Sequence, residues 1–228
     1  MTARDLEGWT VAFDLDGTLI ETAPDLIGTL NRLLVQHDLP AVPLDSARHL
    51  IGRGALALLR RGFEAAGAEW DESASPDLLQ AFLADYLEHI ADHSTAYPGS
   101  IEALDALAAR GAILCVATNK PTDLAVALFR VLGLEGRFAS ICGPQSVSAR
   151  KPDAAHIREA VLQAGGHPAK AVMVGDSITD LDAARATGVP CILTSFGYTD
   201  TPADDLGADA VIAHFDELPA VIERLIGG

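Results

Sequence analysis

Lysine is scarce in this chain. Only Lys120, Lys151 and Lys170 occur among 228 residues, and the formal net charge is −16. No block of basic residues exists, so the electrostatic footprint that nucleic-acid binding needs is missing. An acidic membrane surface is disfavoured for the same reason. Cysteine is scarce too. Cys115, Cys142 and Cys191 are odd in number, and their spacing fits neither a zinc knuckle nor a CxxC pair. Each lies in an apolar segment and reads as a buried small hydrophobe in a reducing compartment. No apolar run approaches the length of a membrane span. The opening MTARDLEGWT is acidic and polar, unlike a secretory leader. The expectation is a soluble, cytoplasmic protein that acts without nucleic acid or membrane, as a monomer or homodimer.

What is present is an ordinary globular composition, 49% hydrophobic and 21% charged. A chain of this length makes one or two domains and buries a core without staples. Short apolar runs stand at 10–14, 112–117, 138–142, 171–175, 190–194 and 209–213. Helical patterns lie between them, at 100–110, 121–132, 153–165 and 178–187. This alternation predicts an α/β fold, a Rossmann-like doubly wound and mainly parallel sheet. The runs are apolar throughout, as expected of strands covered on both faces. Pro121 and Pro152 are expected at first helical positions, and Gly111, Gly133, Gly165 and Gly188 just past helix ends.

Residues 21–95 break the rhythm. They hold no strand run and read as four helices, about 22–37, 43–51, 53–67 and 76–92. A crossover between neighbouring strands does not need so much chain. The expected organisation is therefore a catalytic core of residues 1–20 and 96–228 with an inserted all-helical cap domain of residues 21–95. The hinges fall near Leu19–Thr22 and Ser94–Gly99.

In doubly wound sheets, ligands sit at the carboxyl ends of strands. There the sequence places Asp14 and Asp16 (FDLDGTL), Thr118, Asn119 and Lys120 (ATNK), Lys151 (RKPD), and Asp176 and Asp180 (GDSITD). Asp14, Asp16 and Asp176 converge without an equal number of bases and repel unless a cation sits among them. Oxygen-only ligands suit Mg²⁺, the expected cofactor. The Thr118 hydroxyl and the Asn119 amide, near the start of a helix, offer donors to an anion. Lys151 is a point charge suited to phosphate. A carboxylate nucleophile, a metal and a phosphate cradle together describe phosphoryl transfer. Each piece alone has a plainer reading as turn, cap or solvated charge; their joint order after successive strands carries the argument. Asp25 and Asp182 read as surface residues, and His49, His89 and His93 as helix-surface residues. GRGALA at 52–57 lacks the preceding strand of a dinucleotide fingerprint.

In order, FDLDGTL, ATNK, RKPD and GDSITD resemble the four motifs of the haloacid dehalogenase superfamily over nearly the whole chain. That resemblance implies roles. Asp14 would be the nucleophile and Asp16 the general acid–base. Thr118, Asn119 and Lys151 would hold the phosphoryl group. Asp14, Asp176 and the Asp16 backbone carbonyl would bind Mg²⁺, with Asp180 supporting them. FDLDGTLIETAPDL, IGRGALALL and GDSITDLDAARATGVP are further similar to bacterial phosphoglycolate phosphatases. This implies a small-molecule phosphate ester as substrate, first of all 2-phosphoglycolate. A phosphomutase of the β-phosphoglucomutase type, or a phosphatase for another small phosphate or pyrophosphate, is the alternative. Gly52, Arg53 and Gly54 would form a specificity loop on the cap, with Arg53 or a glycine amide facing the substrate carboxylate. A helix break and cap accounts for them equally.

Overall fold

The computed structural model describes residues 5–227. The chain opens with β1 (Thr10–Phe13) and turns through a short β2 (Ile20–Glu21). Four helices follow: α1 (Ala23–Gln36), α2 (Leu44–Ala47), α3 (Ala55–Ala65) and α4 (Ser75–Glu88). A second short strand, β3 (Thr95–Ala96), pairs antiparallel with β2. The rest alternates: α5 (Ser100–Ala109), β4 (Ile113–Ala117), α6 (Thr122–Val131), β5 (Ser140–Cys142), α7 (Ala154–Gln163), β6 (Ala171–Gly175), α8 (Ile178–Thr187), β7 (Cys191–Thr194), β8 (Ala210–Ile212) and α9 (Leu218–Ile226). All neighbours in the six-stranded sheet are parallel, in the order β5-β4-β1-β6-β7-β8. This is the α/β, Rossmann-like core with a helical cap. The chain leaves β1 for β4 on one side and returns to β6 on the other, so the switch point where ligands bind lies at the head of β1. Among the described residues no helix is long and apolar enough to cross a membrane.

The strand side chains alternate between two unlike faces. Val11, Phe13, Leu114, Val116, Val172 and Val174 belong to a core of large side chains continuous with that of the cap. Ala12, Cys115, Ala117, Cys142, Met173 and Cys191 face the other way, with Ala160, Ala183 and Ala184 of α7 and α8. Ile157, Val161 and Leu181 of the same helices fill the space between these small side chains. The three cysteines are therefore buried free thiols filling a tight layer, as expected.

Several local expectations need correction. The segment read as strand-free contributes Glu21 and Thr95 to the β2–β3 ladder, so the two hinges are tied together by sheet pairing. Two-residue strands are too short to leave a periodic signal. Pro121 caps α6 from outside rather than occupying its first turn, and Pro152 lies two residues ahead of α7, whose cap is Asp153. Asp25 is not a surface residue. It is buried in the first turn of α1 and accepts from the backbone N–H of His93 at 3.1 Å and of Ser94 at 2.8 Å, and from the Ser94 hydroxyl at 2.6 Å. A carboxylate that satisfies backbone groups 68 and 69 residues away has no local signature. His93 lies beyond the end of α4. Asp182 is exposed, and the four glycines past helix ends have φ of 85°, 71°, 81° and 79°.

Candidate active site

Four chain segments meet at the head of β1. Asp14 follows the last residue of β1, and its N–H donates to the Val174 carbonyl of β6 at 2.9 Å. Asp176 follows Gly175, the end of β6, and Thr118 follows Ala117, the end of β4. Lys151 enters from the loop after β5. Its Nζ lies 2.6 Å from Asp180 Oδ1 and 2.9 Å from Asp14 Oδ1, with both residues buried. Asp180 does two jobs. Its Oδ2 accepts the N–H groups of Asp176 (3.2 Å) and Ser177 (3.1 Å) and the Ser177 hydroxyl (2.8 Å), closing the start of α8. The plain capping reading holds, and the same carboxylate also pairs with Lys151. Asp176 Oδ2 accepts the Tyr198 N–H at 2.6 Å, and Oδ1 faces the Thr18 hydroxyl at 3.4 Å.

Glycines make this crowding feasible. Gly17 has φ +79°, and a Cβ there would stand 2.5 Å from Asp176 Oδ2. At Gly175 a Cβ would stand 2.3 Å from the Asp180 carboxyl carbon. Neither distance is compatible with a side chain, so α8 and the turn after β1 close on the carboxylates only with glycine at both places.

Carboxylate oxygens of Asp14, Asp176 and Asp180 lie within 4.8 Å of one another, all buried. Burial pushes the Asp14 carboxyl up to about 6, with Lys151 pulling it back and Asp180 and Asp16 adding to the rise. Burial and the neighbouring Asp180 and Asp14 hold Asp176 well above the usual carboxylate range. Burial opposes the charge on Lys151, but Asp14 and Asp180 outweigh it and hold the ammonium above the ordinary lysine range. Asp14 Oδ1 is buried and meets no partner at hydrogen-bond geometry, the Lys151 contact being an ion pair only. Three crowded carboxylates facing one ammonium are a donor set suited to a hard metal cation. Asp180 spends its oxygens on Lys151 and α8, which leaves the carboxylates of Asp14 and Asp176 the less committed pair of the cluster.

Asp16 stands apart from that cluster. Its Oδ1 accepts from the Thr22 hydroxyl at 2.6 Å and from Lys120 Nζ at 2.9 Å. Lys120 is itself buried, and its ammonium lies 4.4 Å from the ring centroid of Tyr86 on the cap helix α4. Burial opposes this charge too, and Asp16 with Tyr86 overcomes it and keeps Lys120 above the ordinary lysine range. Sequence reasoning noted Lys120 in ATNK but assigned it no role. The signal was there: it is one of three lysines in a strongly acidic chain.

Asn119 lies three residues ahead of α6. Its side chain clasps the Lys151 backbone, Nδ2 donating to the carbonyl at 3.1 Å and Oδ1 accepting the N–H at 3.0 Å. That clasp sets where Lys151 begins its reach to Asp14. A cavity of roughly 480 Å³, open mouth included, lies above these groups. Asp14, Asp16, Thr118, Asn119 and Lys120 form its core side; Leu26, Leu58, Phe82, Leu83 and Tyr86 form its cap side. Gly52 and Gly54 line it, whereas Arg53 is exposed and lines a separate cleft with Arg61 and Thr179. The two openings adjoin, since Ile51 and Gly52 border both.

The family described as haloacid dehalogenase-like hydrolase matches residues 11–194. This chain belongs to that family. It is similar to a phosphoglycolate phosphatase of Caulobacter vibrioides, 50% identical over 99% of this chain and 95% of that one. It is 43% identical to a phosphoglycolate phosphatase of Agrobacterium fabrum over 99% of this chain and 97% of the other. Among solved structures it resembles a predicted phosphoglycolate phosphatase from Haemophilus somnus, with TM-score 0.86 and 30% identity, covering 95% of this chain and 98% of that one. The haloacid dehalogenase-like hydrolases thus supply the setting in which the buried carboxylates at the head of β1 are read.

Proposed function

We propose that this hydrolase cleaves 2-phosphoglycolate to glycolate and phosphate through an aspartyl-phosphate on Asp14, with Mg²⁺ as its metal. The observation that supports the chemistry best is the buried Asp14–Lys151–Asp180 chain beside Asp176, opening onto a small cavity. The names of the full-length relatives support the substrate. Residues 21–95 act as the cap domain on the core of residues 1–20 and 96–228, and closure excludes bulk water while the ester breaks.

In the first step an Asp14 carboxylate oxygen attacks phosphorus and the ester P–O bond breaks. The leaving alkoxide takes a proton from Asp16. Thr118 and Lys151 hold the phosphoryl oxygens, and Asn119 fixes the Lys151 loop. In the second step Asp16 takes a proton from water, the water oxygen bonds to phosphorus, and the P–O bond to Asp14 breaks. Phosphate leaves, and both carboxyls return to their starting states. Asp16 suits both steps because Thr22 and Lys120 occupy Oδ1 and leave Oδ2 for the proton. Asp14, Asp176 and the Asp16 backbone carbonyl would hold Mg²⁺, which when bound neutralises charge on the carboxylates and the phosphoryl group.

The test is phosphate release from a panel of small esters with Mg²⁺ and with chelator. The expected result is Mg²⁺-dependent release with 2-phosphoglycolate the best substrate. No release from any ester would sink the reading, and interconversion of sugar-phosphate isomers without net release would replace it by the mutase.

A further inference from the structure

Lys120 is the one basic side chain among the described residues lining the cavity. An ammonium has three donors. One goes to Asp16 Oδ1 at 2.9 Å, and the Tyr86 ring covers a flank at 4.4 Å. Tyr86 lines the same cavity and is 1% exposed; its buried hydroxyl neighbours Lys120, a donor, and finds no acceptor for its own proton. A buried hydroxyl proton left without an acceptor is costly, so an acceptor supplied by a ligand would relieve it. The other cap side chains lining it are apolar; of the two donors the sequence offered for a carboxylate, Arg53 lies in another cleft, and the Gly52 and Gly54 amides bring no charge to this one.

Chain length decides what these two donors can reach. Asp16 must contact the ester oxygen to protonate it. Lys120 is hydrogen-bonded to that same carboxyl, so it lies beside the atoms that immediately follow the ester oxygen. An anionic group one carbon beyond the ester oxygen falls within its reach, whereas an anion on a longer tether passes it.

We propose that Lys120 and the Tyr86 hydroxyl form a second anion subsite, which selects small phosphate esters bearing a carboxylate one carbon from the ester oxygen. This rests on the reading of the chain as a phosphatase for 2-phosphoglycolate and assigns the residues that recognise that substrate. Lys120 then serves twice, steadying Asp16 and pairing with the substrate carboxylate. Tyr86 carries the recognition onto the cap, so a substrate with the right anion draws α4 towards the core.

The test compares kcat/KM for 2-phosphoglycolate with that for ethyl phosphate, which has a methyl group where the carboxylate stands. In Lys120→Met both values fall, because Asp16 loses its partner, but the ratio between the substrates falls a further ~10- to 100-fold, the range for a lost charged hydrogen bond. Lys120→Arg restores part of the ratio, and Tyr86→Phe lowers it several-fold. A ratio unchanged in Lys120→Met, with wild type preferring 2-phosphoglycolate, overturns the subsite and leaves the substrate reading standing. A wild type with no preference for the carboxylate overturns both. Should Lys120→Met be inactive or unfolded, an unchanged ratio in Tyr86→Phe overturns the proposal by itself.

Discussion

On the core side of the cavity, charged groups are held by several partners each: Lys151 by Asp14 and Asp180, and Asp180 by Lys151, Asp176 and Ser177. On the cap side the wall is Leu26, Leu58, Phe82 and Leu83, with Gly52 and Gly54 beside them. The two walls divide the labour of an enzyme site. Preorganised charges on rigid strand ends stabilise the reacting group without reorganising. The apolar wall opposite them lowers the local dielectric and so strengthens those interactions. The cap meets charge chemistry at Tyr86, over Lys120.

Substitutions can sharpen that contrast. The largest effect is expected on the core side from Asp14→Asn, which should cost at least about 10³-fold in kcat because the nucleophile is gone. Its Tm in chelator should not fall, since the change removes one of three crowded carboxylates. A large loss of Tm would make Asp14 structural. Next comes Asp16→Ala, with a loss of roughly 10²- to 10⁴-fold on alkyl phosphates. The loss on p-nitrophenyl phosphate should be much smaller, because that leaving group needs little protonation; equal losses would remove Asp16 from the acid role. Gly17→Ala tests whether the turn only makes room for Asp176. The added Cβ presses on Asp176 Oδ2, so the Mg²⁺ needed for half-maximal rate should rise about tenfold.

The smallest effect is expected from the support behind the core wall. His156 is fully buried, its ring nitrogens 3.0 Å from the Ala149 carbonyl and 3.3 Å from that of Cys142. Burial, helped by Lys151, lowers it from 6.5 to about 4. The folded state therefore binds fewer protons than the unfolded chain between these values. His156 contributes to stability above pH 6.5, and the contribution is lost as pH falls towards 4, at most about 3 kcal/mol. Denaturant melts across this window should show that slope in wild type and a shallower one in His156→Gln. An unchanged slope would assign the acid sensitivity to other groups.

Most of the core side was legible before any coordinates. Strand ends in a doubly wound sheet carry ligands, so Asp14, Thr118, Lys151 and Asp176 could be read together from their places after apolar runs. The helical insertion was legible from the length of chain between two strands. What was not legible had long-range causes. Asp25 looked like an ordinary helix-start acid, yet its partners are His93 and Ser94. Asn119 offered a backbone amide near a helix start, and nothing local signalled that its side chain would hold the Lys151 loop. Arg53 and its flanking glycines looked like one specificity loop, and the backbone sends the arginine to a different cleft.

By itself the sequence determined the α/β core, the place of the cap and the carboxylates that crowd the strand ends. These follow from periodicity, segment length and the position of residues after strands, all local properties. Only the tertiary structure decided which charges meet: that Asp16 turns to Lys120, that Lys120 lies under a cap tyrosine, and that Asp180 joins a helix cap to Lys151. Pairing energies depend on distance and burial, and both arise only when segments 104 residues apart are folded against one another.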